Sequence, residues 1–156
     1  MSLKEEVELL QRIPLFQHIE PAKLKLLAFT SERVAFEAGH VLFKEGDMGD
    51  AAYIIMEGAA EVTVASPAGP VVVANLGRNA FVGEIAILCD VPRTATVKAK
   101  ERLVCLRISK ELFLRLINEF PTMAISVVRE LAKRLELSNN RLRATVAEME
   151  KLRAVS

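Results

Sequence analysis

A mainly β fold with flanking α-helices, an antiparallel barrel or jelly roll, is what this sequence predicts, and three observations predict it. Apolar residues recur at helical spacing toward both ends of the chain, whereas between Glu32 and about Ile108 they fall in short or alternating runs. Gly39, Gly46, Gly49, Gly58, Pro67, Gly69 and Gly77 separate those runs at the intervals of a sheet built from short strands and turns. The 156 residues suit one domain, or one domain with an appended helix, and can bury about two thirds of their unfolded surface.

In chain order, residues 1–30 form a helical lead-in. Two short helical pieces run from Glu5 to about Ala28, broken at Pro14 and restarted near Pro21, where proline suits a first helical turn. Residues 31–108 form the β region, with runs at Val41–Phe43, Tyr53–Met56, Glu61–Ala65, Val71–Leu76, Ala95–Ala99 and Leu103–Ile108. Residues 109–156 return to helix. Ser109 is an N-cap for a short helix over Lys110–Glu119, and Pro121 opens a long one that runs to about Arg153. Leu131, Leu135, Ser138, Leu142, Met149 and Leu152 lie near one stripe of that helix. Such a stripe, flanked by Glu and Arg, suits docking on the β region in its first half and helix-to-helix dimerisation in its second. Packing only within the chain is the alternative.

The chemistry concentrates in residues 81–99. Gly83 lets the backbone approach a ligand closely, and Glu84 opens an apolar segment, Ile85 to Leu88, long enough for one or two helical turns. The exposed amides of such a turn point at an anion. An ionised Glu84 can accept the proton of a sugar hydroxyl, and Arg93 offers a planar fork of donors to phosphate oxygens. One residue would read a sugar and the other a charge, which is what a small anionic sugar phosphate needs.

The order and spacing of Gly83, Glu84, Ala86, Arg93, Thr94 and Ala95 resemble the phosphate-binding cassette of cyclic nucleotide-binding domains. That family includes regulatory subunits of cAMP-dependent kinases, cyclic nucleotide-gated channels and the bacterial catabolite activator protein. The likeness extends to Gly39–Asp47, Tyr53–Gly58 and Leu76-Gly77, which look like the family's strands and turns. Asn79 stands where a glycine is usual, Ala60 where a larger apolar residue is common, and Val82 where phenylalanine is frequent. Asparagine tolerates a left-handed backbone best among non-glycine residues, so Asn79 is compatible with the pattern. The resemblance implies an antiparallel β jelly roll (a double-stranded β-helix) with N-terminal helices and a long C-terminal helix. It also implies cAMP or cGMP as regulatory ligand, held by Gly83, Glu84, Ile85, Ala86, Arg93, Thr94 and Ala95, with Val73 and Val62 as an apolar wall.

The long helix is the element left to cover the base. Ala132–Asn139 is similar to the stretch of the catabolite activator protein whose polar residues reach the adenine amino group, one contact coming from the second subunit. Ser138 and Asn139 stand at the matching positions and favour cAMP, while a hydroxyl at Thr94 also permits cGMP. Arg134 matches the position where channel members stack an arginine on the purine. These likenesses imply a regulatory module in which ligand repositions the helix to control a partner or effector domain, acting as a homodimer. A scaffold of the same fold that binds no nucleotide is the alternative.

Other classes lack their residues. Formal net charge is +1, so no global field argues for nucleic acid or an anionic membrane. Arg141, Arg143, Lys151 and Arg153 are interleaved with Glu148 and Glu150, and no second recognition helix follows, so no DNA binding by this chain alone is expected. His18 and His40 do not cluster with carboxylates into a metal site, and no nucleophile has an adjacent base, so neither a metal nor enzyme activity is expected. Cys89 and Cys105 lack metal or disulfide-framework spacing, so both read as packing residues in a reduced, cytoplasmic protein. No run approaches the ~20 apolar residues of a membrane span, and the start of the chain is not a signal peptide. Met1-Ser-Leu3 has the look of an expression remnant, in which case the chain is an excerpt of a longer protein.

Overall fold

The computed structural model describes residues 2–13, 16–17 and 19–155. The break expected at Pro14, any role of His18, and the first and last residues lie outside them. Helix α1 spans Leu3–Gln11, and its orphan amides are met by the Ser2 hydroxyl, which accepts from the Glu5 amide at 3.2 Å. Helix α2 spans Pro21–Thr30, with the proline in its first turn as expected.

Eight strands follow: β1 (Glu32–Phe36), β2 (Val41–Phe43), β3 (Ala51–Glu57), β4 (Ala60–Val64), β5 (Val71–Leu76), β6 (Phe81–Val82), β7 (Thr96–Ala99) and β8 (Leu103–Ser109). They form two antiparallel four-stranded sheets in the orders β1-β8-β3-β6 and β2-β7-β4-β5. This is the jelly-roll topology, in which the chain passes back and forth between two facing sheets, apart from the hairpin of β4 and β5 within one sheet.

The central strands of the first sheet, β3 and β8, are buried on both faces. Ala51, Tyr53 and Ile55 of β3 turn to the space between the sheets, where they meet Val97, Ala99, Leu103 and Cys105. Ala52, Ile54 and Met56 turn the other way, onto a cluster with Leu10, Leu24, Phe113, Met123 and Val127 from the helices. Two-sided burial explains why β3 reads in sequence as an unbroken apolar run rather than an alternation. The six expected strands are present, and β1 and β6 are additions. Both lie at the edges of their sheet, β1 exposing three of its five residues around a short Val34-Ala35-Phe36 run without alternation and β6 having only two residues.

A five-residue helix, α3 (Glu84–Leu88), sits between β6 and β7. Helix α4 (Lys110–Glu119) starts at Ser109, whose hydroxyl accepts from the Leu112 amide at 3.2 Å, and α5 runs from Pro121 to Val155. Met123 and Val127 anchor the start of α5 in the core and Leu131 packs against it. Beyond that point the helix is exposed apart from Arg134. No helix among the described residues is long and apolar enough to cross a membrane.

Candidate functional site

Gly83 sets the geometry of the site. It holds φ at +95°, and a β-carbon there would lie 2.7 Å from Arg93 Nη1 and 3.2 Å from the Ala51 carbonyl. Glycine is therefore needed twice, for the backbone angle and for the space. From this residue the chain enters α3, placing Glu84 in its first turn with only 3% of its surface exposed. Gly49 is constrained by space alone, because a β-carbon there would come within 2.5 Å of the Ala86 β-carbon in α3.

Arg93 is equally buried, at 3%. Its Nη1 donates to the Gly83 carbonyl at 2.8 Å and its Nη2 to the Ala51 carbonyl at 2.6 Å, with Asp50 Oδ1 at 3.4 Å. The guanidinium lies 3.9 Å from the Phe43 ring centroid. Its backbone is pinned as well, the amide donating to the Asp47 carbonyl at 2.7 Å and the carbonyl accepting from Gly46 at 2.8 Å. Burial pulls the Arg93 pKa down and Asp50 pulls it back up, and arginine keeps its charge throughout. Its Nε is buried and has no hydrogen-bond partner. A buried donor without an acceptor is uncommon and calls for one.

A cavity of about 500 Å³ opens on these groups. It brings together Val73, Gly83, Glu84, Ile85, Ala86, Arg93, Thr94, Ala95, Arg134 and Ser138, with Val62 in the wall, and it does not include Asn139. The α5 face turned to it is Arg134, Leu137, Ser138 and Arg141, one helical stripe at spacings of three and four. Glu84 meets that face directly. Arg134 Nη1 donates to Glu84 Oε1, and Arg134 Nη2 donates to the Phe81 carbonyl at 2.8 Å. Burial nevertheless raises the Glu84 pKa, outweighing the Arg134 charge and the hydrogen bonds that lower it.

Sequence reasoning missed Phe43, Asp50, Leu137 and Arg141. Counting three and seven residues from Arg134 along the helix finds the last two. Nothing local marks Asp50, which braces Arg93 from 43 residues away. The expectation that both cysteines pack inside holds for Cys105, whose thiol burial pushes up to about 12, whereas Cys89 at the end of α3 is exposed. Among the described residues no group of three or more His, Cys, Asp and Glu side chains could hold a metal. A larger groove of about 580 Å³ between α1 and α2 is lined by Leu3, Val7, Pro21 and Ala22, and no buried charged side chain converges on it.

The model of the cyclic nucleotide-binding domain matches residues 33–120, more than half of the sequence. The chain belongs to that family. The cyclic nucleotide-binding domain here is 37% identical over 110 residues to a cAMP-dependent protein kinase regulatory subunit of Blastocladiella emersonii, covering 70% of this chain and 27% of that protein. It is 29% identical over 136 residues to a CRP-like cAMP-activated global transcriptional regulator of Mycobacterium tuberculosis, covering 86% of this chain and 61% of that protein. Among solved structures it is similar to the catabolite activator protein of Thermus thermophilus, with a TM-score of 0.75 and 28% identity over 83% of this chain and 61% of the other. The domain spans 26% to 37% of the length of the kinase regulatory subunits named among its relatives.

Proposed function

We propose that the cavity binds a cyclic nucleotide, with the cyclic phosphate on Arg93 and the first amides of α3 and the ribose on Glu84. The observation that carries this is Arg93. A guanidinium buried to 3% exposure lines a cavity, is held by backbone carbonyls on one side, and keeps an unpartnered Nε. An anion with several acceptor oxygens would satisfy that donor, and the charge would reward it. Val62 and Val73 supply apolar surface beside the sugar and base, the usual companion of a few convergent polar groups.

The ligand is cAMP in preference to cGMP. Ser138 lies in the cavity wall on the lid helix, and the two relatives named above by their dependence on cAMP support the same choice. Thr94, also in the wall, keeps cGMP as the weaker ligand. Asn139 stands off the cavity of its own chain, which fits a contact made by Asn139 of the partner subunit in a homodimer. Binding then shifts α5 toward one of its positions, and the shift controls an effector domain or partner protein. Competition against a fluorescent cAMP analogue tests the ligand class. The expected order is cAMP, then cGMP, then 5′-AMP, because 5′-AMP carries a longer, doubly charged phosphate. Displacement by 5′-AMP as good as by cAMP would contradict the assignment.

A further inference from the structure

Helix α2 is apolar on two opposite sides. Leu24, Leu27 and Ala28 are buried in the core, whereas Ala22, Leu26 and Phe29 recur at spacings of four and three and form a ridge that points into solvent. Leu26 is 64% exposed and Phe29 77%. A helix that is apolar all round is normally covered all round. Ala22 also lines the groove of about 580 Å³ between α1 and α2, so ridge and groove form one continuous surface. On the α1 side that surface is Leu3 and Val7, one turn apart. The groove is also charged. Lys4 on α1 and Lys25 on α2 line it with Glu8 as the one acid, and none of the three has a hydrogen bond or ion pair among the described residues. Lys23, the other lysine of α2, lies instead over the Phe120 ring, 4.5 Å from its centroid.

We propose that the α1–α2 groove and the Leu26–Phe29 ridge form a docking surface for an amphipathic helix of a partner protein. That helix lays apolar residues on Val7, Ala22, Leu26 and Phe29 and carries Glu or Asp beside Lys4 and Lys25. Two packed helices with an open groove between them accept a third along it, and side chains four residues apart make the ridge that fits such a partner. The excess of unpaired cations selects acidic flanks. A lipid surface is the poorer fit, since recognition of anionic headgroups takes a cluster of about four or more basic residues and two face this groove. The surface shares no residue with the nucleotide cavity, so the two assignments stand or fall separately.

The test uses the whole chain and two synthetic amphipathic helices of about 18 residues, or five turns. Both carry Leu and Ala on one face, and one has Glu on its flanks where the other has Lys. Fluorescence anisotropy gives their affinities, and NMR shift mapping on the labelled protein gives their location. The Glu helix is expected to bind saturably and at least about tenfold more tightly than the Lys helix, with shifts at Val7, Ala22, Leu26 and Phe29. Leu26→Ser and Phe29→Ser, at exposed positions that leave the core filled, each weaken it at least about fivefold. Lys4→Glu together with Lys25→Glu removes or reverses the preference between the two helices. Circular dichroism checks that each variant is folded. No saturable binding of the Glu helix, equal affinity for both helices, or shifts confined to α5 overturns the proposal. Binding to phosphatidylserine vesicles without binding to the Glu helix also overturns it, and assigns the face to lipid.

Discussion

Glu84 and Arg93 are the buried charged side chains among the described residues, and they tolerate burial for different reasons. Arg93 is surrounded by acceptors and an aromatic face, so its permanent charge is compensated on most sides. Glu84 meets one cation that is itself partly exposed, and its desolvation outweighs that contact. Its pKa in the folded protein therefore lies above its ordinary value of 4.5. A raised folded value means that the folded state holds the proton more tightly than the unfolded chain. Glu84 thus contributes stability below its unfolded value, and that contribution is lost as pH rises through the folded value. Urea unfolding of wild type and Glu84→Gln checks this. The wild-type midpoint is expected to fall relative to the variant as pH rises from below 4.5, and a difference independent of pH would contradict it.

At the scale of elements, the sequence was most legible where periodicity and punctuation agreed. Ser109 and Pro121 mark the starts of α4 and α5, and the short apolar runs mark the core strands. Gly83, Glu84 and Arg93 were legible as a candidate site because ligand chemistry restricts their identity and spacing, and one cavity is lined by all three. What stayed hidden depended on tertiary placement. Strand β1 forms through pairing with β8 from Glu32↔Arg107 to Phe36↔Leu103, and its own side chains are largely in solvent. Asp50 acts on Arg93 and on Arg107, at 3.1 Å, only because the sheet brings its loop beside both. The long helix read as one stripe but carries two faces. Arg134, Leu137, Ser138 and Arg141 face the cavity, and Leu135, Leu142, Met149 and Leu152 are exposed. Ser138, read as part of the single stripe, belongs to the first face.

For the whole molecule, the exposed face of α5 has a regular period. Val128, Leu135, Leu142 and Met149 recur every seven residues and are 65%, 63%, 62% and 62% exposed. Such a repeat of large apolar side chains fits a seam against the same helix of a second copy. Sedimentation is expected to show a dimer for the wild type and a monomer for Leu142→Glu, and an unchanged mass would remove the seam from the account. A dimer would also set the cavity of one copy beside the α5 of the other, so that ligand binding and helix pairing are linked. All of this depends on Arg93 receiving a cyclic phosphate. Titration calorimetry of wild type and Arg93→Leu with cAMP, both confirmed folded, tests that most directly. Removing one partner of a buried charge pair costs about 2–5 kcal/mol, so wild-type binding is expected to be saturable and to weaken at least roughly thirtyfold in Arg93→Leu. Equal affinity in the two proteins, or no heat with the wild type, would contradict it.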